Sequence, residues 1–204
     1  MTRDMYMPLI REKITSYGYG SIFMPSDFKD IANRETVKKS LQRFNEEKFI
    51  KRIMRGVYHY PEYNEFLGEY VEPSPHEVAK AIARNYGWTI VPFGDTALNL
   101  LGLSSQVPAV WTYVSDGAYK EYDLDKISIK FKRTTNKEIS GLSYKTALII
   151  QAIKALGKAN IDEQVIKSIS RKISYSEMEE MISEGKYSTS WVYEVLKKIA
   201  KEKS

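Results

Sequence analysis

The sequence contains no cysteine and only two histidines, His59 and His76. The absence of cysteine excludes disulfide bonds, thiolate zinc sites, iron–sulfur clusters and cysteine nucleophiles. Two histidines leave little material for imidazole chemistry. No apolar run approaches the roughly 20 residues that a membrane-spanning helix needs, and residues 1–9 lack the apolar stretch of a secretory signal. We therefore expect a cytoplasmic protein without a membrane partner.

Positive charge is concentrated at the N-terminal end of the chain. The 204 residues carry a formal net charge of +5, from 31 Lys and Arg against 26 Asp and Glu. Residues 1–60 hold twelve basic and seven acidic side chains, residues 61–133 hold seven and ten, and residues 134–204 hold twelve and nine. A basic bias on one small unit indicates contact with phosphate groups, although many soluble proteins carry such a bias without that function.

The first 61 residues have the element order of a DNA-binding domain. The spacing of apolar residues and the turn and capping signals predict five elements. These are a helix over 9–17, a short strand over 21–24, a short helix over 27–31 capped by Ser26, a helix from the N-cap Asn33 to about Lys48, and a hairpin of strands 49–54 and 57–60 joined by Arg55-Gly56. This order is that of a winged helix-turn-helix, whose third helix enters the major groove and whose hairpin wing lies along the DNA backbone.

Basic and amide side chains lie on the predicted third helix and wing. The helix carries Arg34, Thr36, Lys38, Lys39, Gln42 and Arg43, and the wing carries Lys51, Arg52 and Arg55. Such side chains bond base edges and phosphates. We predict that Thr36, Lys39 and Arg43 face the major groove and that Lys38, Lys51, Arg52 and Arg55 contact phosphates. His59, in the wing, is expected at the surface. A solvated helical face and a charged edge hairpin would explain the same charges without DNA.

The predicted fold class is α+β, with a linker between two domains. Residues 62–73 contain Pro, Gly and four Glu, which is typical of a domain boundary. The predicted domains are a winged helix over 1–61 and a mixed α/β domain over 74–157, followed by a helical C-terminal extension over 158–204. Ser74 and Pro75 mark a helix start, and strands are predicted over 88–93, 110–114, 120–124 and 127–133.

The acidic segment 95–125 offers one alternative function, and the winged helix offers another. Asp95, Asp116, Glu121, Asp123 and Asp125 precede Lys130 and Lys132. Carboxylates with a lysine on adjacent strands can hold Mg²⁺ and polarise a phosphodiester, as metal-dependent nucleases require. A solvated hairpin face explains the same residues more simply. The winged helix could also serve as a protein-interaction module. We predict no enzyme activity, no catalytic residue, no cofactor and no metal.

Several short motifs, taken in order, carry a family resemblance. They are Tyr17-Gly18-Tyr19-Gly20-Ser21-Ile22-Phe23, Pro25-Ser26-Asp27-Phe28, Arg55-Gly56-Val57-Tyr58-His59-Tyr60-Pro61, Pro73-Ser74-Pro75, Val78-Ala79-Lys80-Ala81-Ile82-Ala83-Arg84, and Leu100-Leu101-Gly102-Leu103-Ser104-Ser105-Gln106-Val107-Pro108. Over residues 6–157 the chain resembles the AbiEi-like antitoxins of bacterial type IV toxin–antitoxin systems, in the subgroup long filed as a domain of unknown function.

The resemblance implies a repressor that binds inverted repeats in its own promoter and also serves as an antitoxin. Its functional partner would be a nucleotidyltransferase-type toxin, without a stable direct complex. The resemblance assigns DNA contact to the helix pair from Ser26 to Lys48 and to the wing from Arg52 to Tyr58, and it supplies no catalytic residue over 74–133. A lone regulator without a neighbouring toxin gene is an alternative within this family. A homodimer is left open, because no pattern in the sequence identifies a dimer interface.

Overall fold

The computed structural model describes residues 5–134, 139 and 141–203. It is a mixed α+β structure, which confirms the predicted fold class at that level. The chain forms two compact units, Met1–Trp88 and Thr89–Ser204. No helix in the described ranges combines the length and the apolar composition of a membrane span.

The first unit places a small antiparallel sheet between helices. Its elements are α1 (Tyr6–Tyr17), β1 (Ile22–Phe23), a 3₁₀ helix (Pro25–Phe28), α2 (Arg34–Glu46), β2 (Lys51–Met54), β3 (Val57–His59), β4 (Tyr63–Asn64), β5 (Glu69–Tyr70) and α3 (Pro75–Tyr86). Strands β1, β3 and β2 form one sheet in that spatial order, and β4 and β5 pair with each other in a second one. The β2–β3 hairpin turns at Gly56, whose φ of 80° suits a residue without a Cβ.

Strands β1 and β3 of the first unit are buried on both faces of the sheet. One face packs against α1, the 3₁₀ helix and α2, and the core there comprises Ile10, Ile14, Phe23, Phe28, Val37, Leu41, Phe44, Ile50, Tyr58 and Tyr60. Successive strand residues point to opposite faces, so Val57 and His59 point away from that core, yet both are buried. Helix α3 contacts β1 and β3 and covers this second face. His59 is therefore an interior residue, 1% exposed, and its predicted surface position is wrong.

The unit boundary differs from the predicted linker. The first compact unit continues to Trp88 and includes α3, whereas the sequence predicted a boundary within 62–73 and assigned the helix after Ser74 to the next domain. Residues 62–72 instead contain the β4–β5 hairpin. The physical reason is that α3 supplies the apolar cover for the second face of the sheet, through buried residues such as Val78 and Ile82.

Local capping decides where the helices of the first unit begin. Asn33 caps α2 as predicted, since its Oδ1 accepts a hydrogen bond from Thr36 N at 3.0 Å. The predicted N-cap at Ser26 is wrong, because Pro25 already occupies the first position of the 3₁₀ helix. Met24 N instead donates to Asp27 Oδ2 at 2.9 Å, so the carboxylate holds this turn.

The second unit combines one sheet with a helical layer. Its elements are β6 (Ile90–Pro92), α4 (Asp95–Leu100), β7 (Val110–Ser115), β8 (Lys120–Leu124), β9 (Ile127–Arg133), α5 (Tyr144–Leu156), a 3₁₀ helix (Lys158–Asn160), α6 (Glu163–Ser170), α7 (Tyr175–Gly185) and α8 (Ser190–Lys203). The spatial strand order is β6, β7, β9 and β8, and only the β7–β9 pair is parallel.

The C-terminal helices belong to the same core as the rest of the second unit. Buried residues of α4 and α5, such as Ala97 and Ile149, cluster with Ile169, Val192 and Leu196 from the last 47 residues of the chain. The structure therefore does not separate 74–157 from 158–204 as the sequence prediction did. The apolar stripes of α6 and α8 complete a core that the earlier helices begin.

Candidate nucleic-acid interface

A concavity of about 840 Å³ opens on the first unit between α2, the β2–β3 hairpin, the 3₁₀ helix Pro25–Phe28 and the end of α3. We call it the basic concavity. Its lining residues are Met24, Pro25, Ser26, Lys29, Arg34, Lys38, Gln42, Asn45, Arg52, Arg55, Gly56, Tyr58, Asn85 and Tyr86. Five of them are cations and none is a carboxylate. The concavity therefore has a net positive field that attracts anions.

Helix α2 provides one wall through a single polar stripe. Arg34, Lys38, Gln42 and Asn45 follow one another at spacings of four, four and three residues, which places them on one side of a helix. The buried residues Val37, Leu41 and Phe44 occupy the adjoining side and hold α2 against the core. The same amphipathic pattern thus anchors the helix and orients its basic side chains.

The hairpin β2–β3 provides the opposite wall and is tied to α2 by a hydrogen bond. Arg52 N donates to Asn45 Oδ1 at 2.7 Å, and Arg52 Nε donates to Met54 O at 3.4 Å. The first of these bonds joins the middle of the hairpin strand to the end of the helix. It fixes the width of the basic concavity at the level of Arg52.

The segment 24–29, which contains the 3₁₀ helix Pro25–Phe28, provides the third wall and is joined to α3 by polar contacts. Ser26 Oγ donates to Asn85 Oδ1 at 2.8 Å. Arg84 donates from Nε and Nη2 to the two carboxylate oxygens of Asp27, each at 2.9 Å, and from Nη2 to Ile22 O at 3.3 Å. The hydrogen bonds that Arg84 donates to Asp27 raise the pKa of Arg84 above its ordinary value. This bidentate pair is the strong form of an arginine–carboxylate contact, and it neutralises the charge of Asp27.

Four of the five cations of the concavity have no carboxylate to neutralise them. Within the described residues, Lys29, Arg34, Arg52 and Arg55 form no ion pair shorter than 4.0 Å, and all four are exposed. Lys38 donates to Glu35 Oε1 at 2.9 Å, and that bond lowers the pKa of Glu35. Both members of the Lys38–Glu35 pair are exposed, so the pair adds little stability and can exchange for another anion.

The structure brings together seven of the eleven residues predicted for DNA contact. They are Ser26, Arg34, Lys38, Gln42, Arg52, Arg55 and Tyr58, the last forming a largely buried part of the floor. Thr36, Lys39, Arg43 and Lys51 do not line the concavity.

Two of the four residues outside the concavity are engaged by glutamates. Arg43 Nε lies 3.1 Å from Glu47 Oε1, while Arg11 Nη2 lies 2.9 Å from Glu47 Oε2, so one carboxylate is shared by two arginines. Lys51 Nζ lies 3.4 Å from Glu72 Oε1. The helical turn explains the division on α2, because at 3.6 residues per turn Lys39 is rotated by about 140° and Arg43 by about 180° from Arg34.

Sequence reasoning missed several lining residues. Asn45 continues the spacing of Arg34, Lys38 and Gln42 by three residues, so this pattern could have identified it. Asn85 and Tyr86 belong to α3, which the sequence assigned to another domain. No local pattern could have indicated that α3 reaches this site.

The acidic segment of the second unit has structural roles at several positions. Asp116 Oδ1 accepts a hydrogen bond from Thr89 N at 2.9 Å, and Glu121 lies 3.2 Å from Lys130 across the β8–β9 pair. Hydrogen bonds from Tyr119 and Lys130 lower the pKa of Glu121. Asp125 takes a positive φ of 53° in the turn between these strands. Across the part of the chain that the structure describes, no group of three or more His, Asp or Glu could hold a metal ion.

No curated protein matches the chain. The model of a family described as a family of unknown function, DUF6088, matches residues 9–181. Because this match spans most of the chain and extends over both compact units, the chain belongs to the DUF6088 family.

Proposed function

We propose that the first unit binds double-stranded DNA and that the chain is a sequence-specific transcriptional regulator. The observation that carries the proposal is the basic concavity, where five exposed cations and no carboxylate lie between a helix and a hairpin. Lysine and arginine contacts to phosphates supply most of the affinity of DNA-binding proteins.

The element order of the first unit supports a winged-helix interpretation. Helix, strand, short helix, helix and hairpin follow one another, and the first strand pairs beside the second strand of the hairpin. In that interpretation α2 enters the major groove and the β2–β3 hairpin lies along the backbone as the wing.

The geometry favours a different assignment of contacts on α2 from the one the sequence suggested. We assign Arg34, Lys38 and Gln42 to the groove side, because they share the stripe that faces the hairpin. Lys29, Arg52 and Arg55 are assigned to phosphates. Arg43 is not assigned to base contact, since Glu47 engages its guanidinium outside the concavity.

The test is fluorescence anisotropy of the protein with the DNA upstream of its own gene and with a scrambled duplex, between about 50 and 200 mM salt. We expect binding to weaken steeply with salt and to favour the upstream duplex by about 10³ or more. Arg34→Ala should cost about 1–3 kcal/mol on the preferred sequence if Arg34 bonds a base. Equal weak binding of both duplexes would contradict the proposal and favour a winged helix that binds protein.

We also propose that the regulator represses its own promoter and acts as an antitoxin against a nucleotidyltransferase-type toxin. This part rests on the resemblance of residues 6–157 to AbiEi-like antitoxins. The test is co-expression with any nucleotidyltransferase gene that neighbours its own, with growth and reporter activity as readouts. Rescue of growth supports the antitoxin role, and repression without rescue would leave a lone regulator.

A further inference from the structure

A protruding hairpin in the first unit carries negative charge and exposed apolar side chains. We call residues 62–72 the acidic arm; they contain strands β4 and β5, with Tyr63 paired to Tyr70 and Asn64 to Glu69. Every residue of the arm except Asn64 is exposed. The arm is therefore held by its own hairpin and presents nearly all its side chains outward.

The tip of the acidic arm is an ordered turn that displays a phenylalanine. Leu67 N donates to Asn64 Oδ1 at 3.1 Å, and Gly68 N donates to Asn64 O at 2.8 Å. In this turn Phe66 is 95% exposed and Leu67 is 61% exposed. Adjacent exposed apolar side chains on a structured turn are typical of a surface that another molecule covers.

The charge of the acidic arm has one sign. It holds Glu62, Glu65, Glu69 and Glu72, and the sequence contains no Lys or Arg between Pro61 and Glu77. Glu72 pairs with Lys51 at 3.4 Å. For the other three glutamates the described residues provide no cation within 4.0 Å. A surface complementary to the acidic arm would therefore combine positive charge with an apolar site for Phe66 and Leu67.

The basic concavity has both properties. Its lining combines five cations with apolar surface from Met24, Pro25 and Tyr86. Two acidic arms would repel each other, because their contact would gather eight glutamates. We infer that the acidic arm of one copy docks in the basic concavity of a second copy, with Phe66 as the apolar anchor and Glu65 and Glu69 facing the cations.

The docked arm would occupy the surface that we assign to DNA. Self-association and DNA binding would then compete for the same cations, and a rise in protein concentration without free operator would store the protein in an inactive form. The competition rests on the proposed function, whereas the self-association does not.

Charge reversal on each side tests the docking. One variant carries Glu65→Lys and Glu69→Lys in the arm, and the other carries Lys29→Glu and Arg55→Glu in the concavity. All four positions are exposed, so both variants should keep the fold, which circular dichroism and thermal melting check. Sedimentation velocity then compares each protein at about 50 and 300 mM salt, over a concentration series up to about 0.1 mM.

We expect the unmodified protein to self-associate at the lower salt and to dissociate at the higher salt. Each variant alone should be monomeric, because the two substitutions change the charge of the arm from −4 to 0 in the first variant and that of the concavity from +5 to +1 in the second. An equimolar mixture should associate again, since the unaltered arm of one variant can dock in the unaltered concavity of the other. Phe66→Ala should weaken self-association about tenfold or more without any change in charge.

A monomeric unmodified protein at the lower salt would overturn the inference, and so would self-association that both charge variants retain. The DNA experiment separates this result from the proposed function. If the unmodified protein self-associates and the arm variant, with its concavity intact, binds no duplex, the docking stands and the DNA proposal fails. If the protein binds its operator and stays monomeric, the DNA proposal stands and the docking fails.

Discussion

At the scale of single residues, the pairing state of each cation determines whether it can meet a ligand. Arg55 has no carboxylate partner within the described residues, while Arg43 shares Glu47 with Arg11. A cation without a partner can bind a phosphate at no cost in broken ion pairs. The two arginines therefore form a matched comparison within one unit.

Arg55→Ala should weaken binding to all duplexes alike and lower the salt slope of log K by about 1, because one phosphate contact is lost. Arg43→Ala is the control and should change DNA binding little. Anisotropy titrations at several salt concentrations measure both quantities. A larger loss of DNA affinity for Arg43→Ala than for Arg55→Ala would contradict our assignment. It would support the prediction from the sequence that Thr36, Lys39 and Arg43 face the major groove.

Two histidines give the stability a defined pH dependence. Burial lowers the pKa of His59, Lys51 lowers it further and Glu72 opposes that effect. Burial also lowers the pKa of His76. As the pH falls, the two histidines therefore bind protons near their ordinary pKa of about 6.5 in the unfolded chain, but only at lower pH in the folded chain. The free energy of unfolding should be highest above that pH and fall as the pH drops toward the folded-state values.

Urea denaturation between about pH 7.5 and 5 measures this dependence, since the carboxylates titrate mainly below that window. His59→Gln should make the decline shallower, and the addition of His76→Gln should remove most of the remainder. An unchanged decline in the double variant would contradict the role of the histidines.

Sequence patterns correctly predicted the features that depend only on residues nearby in the chain. Asn33 caps its helix and Gly56 turns its hairpin as expected, because capping and turn chemistry depend on neighbours in sequence. His59 was misplaced, because its burial depends on α3, which lies beyond the hairpin in the chain. The ion pair of Arg43 could not be predicted for the same kind of reason, since Glu47 is shared with Arg11 on another helix.

At the scale of elements, the 3₁₀ helix Pro25–Phe28 packs against α3 beside the basic concavity, which both elements help to line. Arg84 bonds both oxygens of Asp27, whose side chain is 13% exposed, while Lys80 and Glu77 form an exposed pair on the same helix. Removal of Arg84 leaves a largely buried carboxylate without its partner.

Arg84→Ala should lower the free energy of unfolding by about 1–2 kcal/mol, a range that allows for the partial exposure of Arg84. Lys80→Ala is the matched control and should cost about 0.5 kcal/mol or less. Urea denaturation of the full chain measures both. Equal decreases in the free energy of unfolding for the two variants would show that the Arg84–Asp27 pair stabilises the fold no more than the exposed Lys80–Glu77 pair does.

The sequence indicated elements more securely than their assignment to domains. Strands β8 and β9 have the predicted bounds, because the alternation of Ile127, Ile129 and Phe131 with polar residues is typical of a strand with one wet face. The start of α3 was also predicted from Ser74 and Pro75. Nothing in that pattern states which sheet α3 covers, since packing partners are chosen by tertiary contacts.

At the scale of the whole molecule, the chain is divided after Trp88 and not within the acidic arm. A fragment of residues 1–88 should therefore fold with a cooperative thermal transition, because it contains the residues that cover β1 and β3 on both faces. A fragment of residues 1–61 lacks α3 and leaves the side of Val57 and His59 open to water. Circular dichroism melts of the two fragments measure the difference. A cooperative transition in the shorter fragment would contradict the role of α3.

The core of the second unit joins residues that are far apart in the chain. Leu101, directly after α4, and Leu196 of α8 belong to one buried cluster. At about 5–20 residues per second, a ribosome needs roughly 5–20 seconds to make the intervening stretch. During that time the apolar side chains of α5 are synthesised but lack their cover. A nascent chain interrupted before α8 should therefore be a preferred client of chaperones and proteases, while its first unit is already folded.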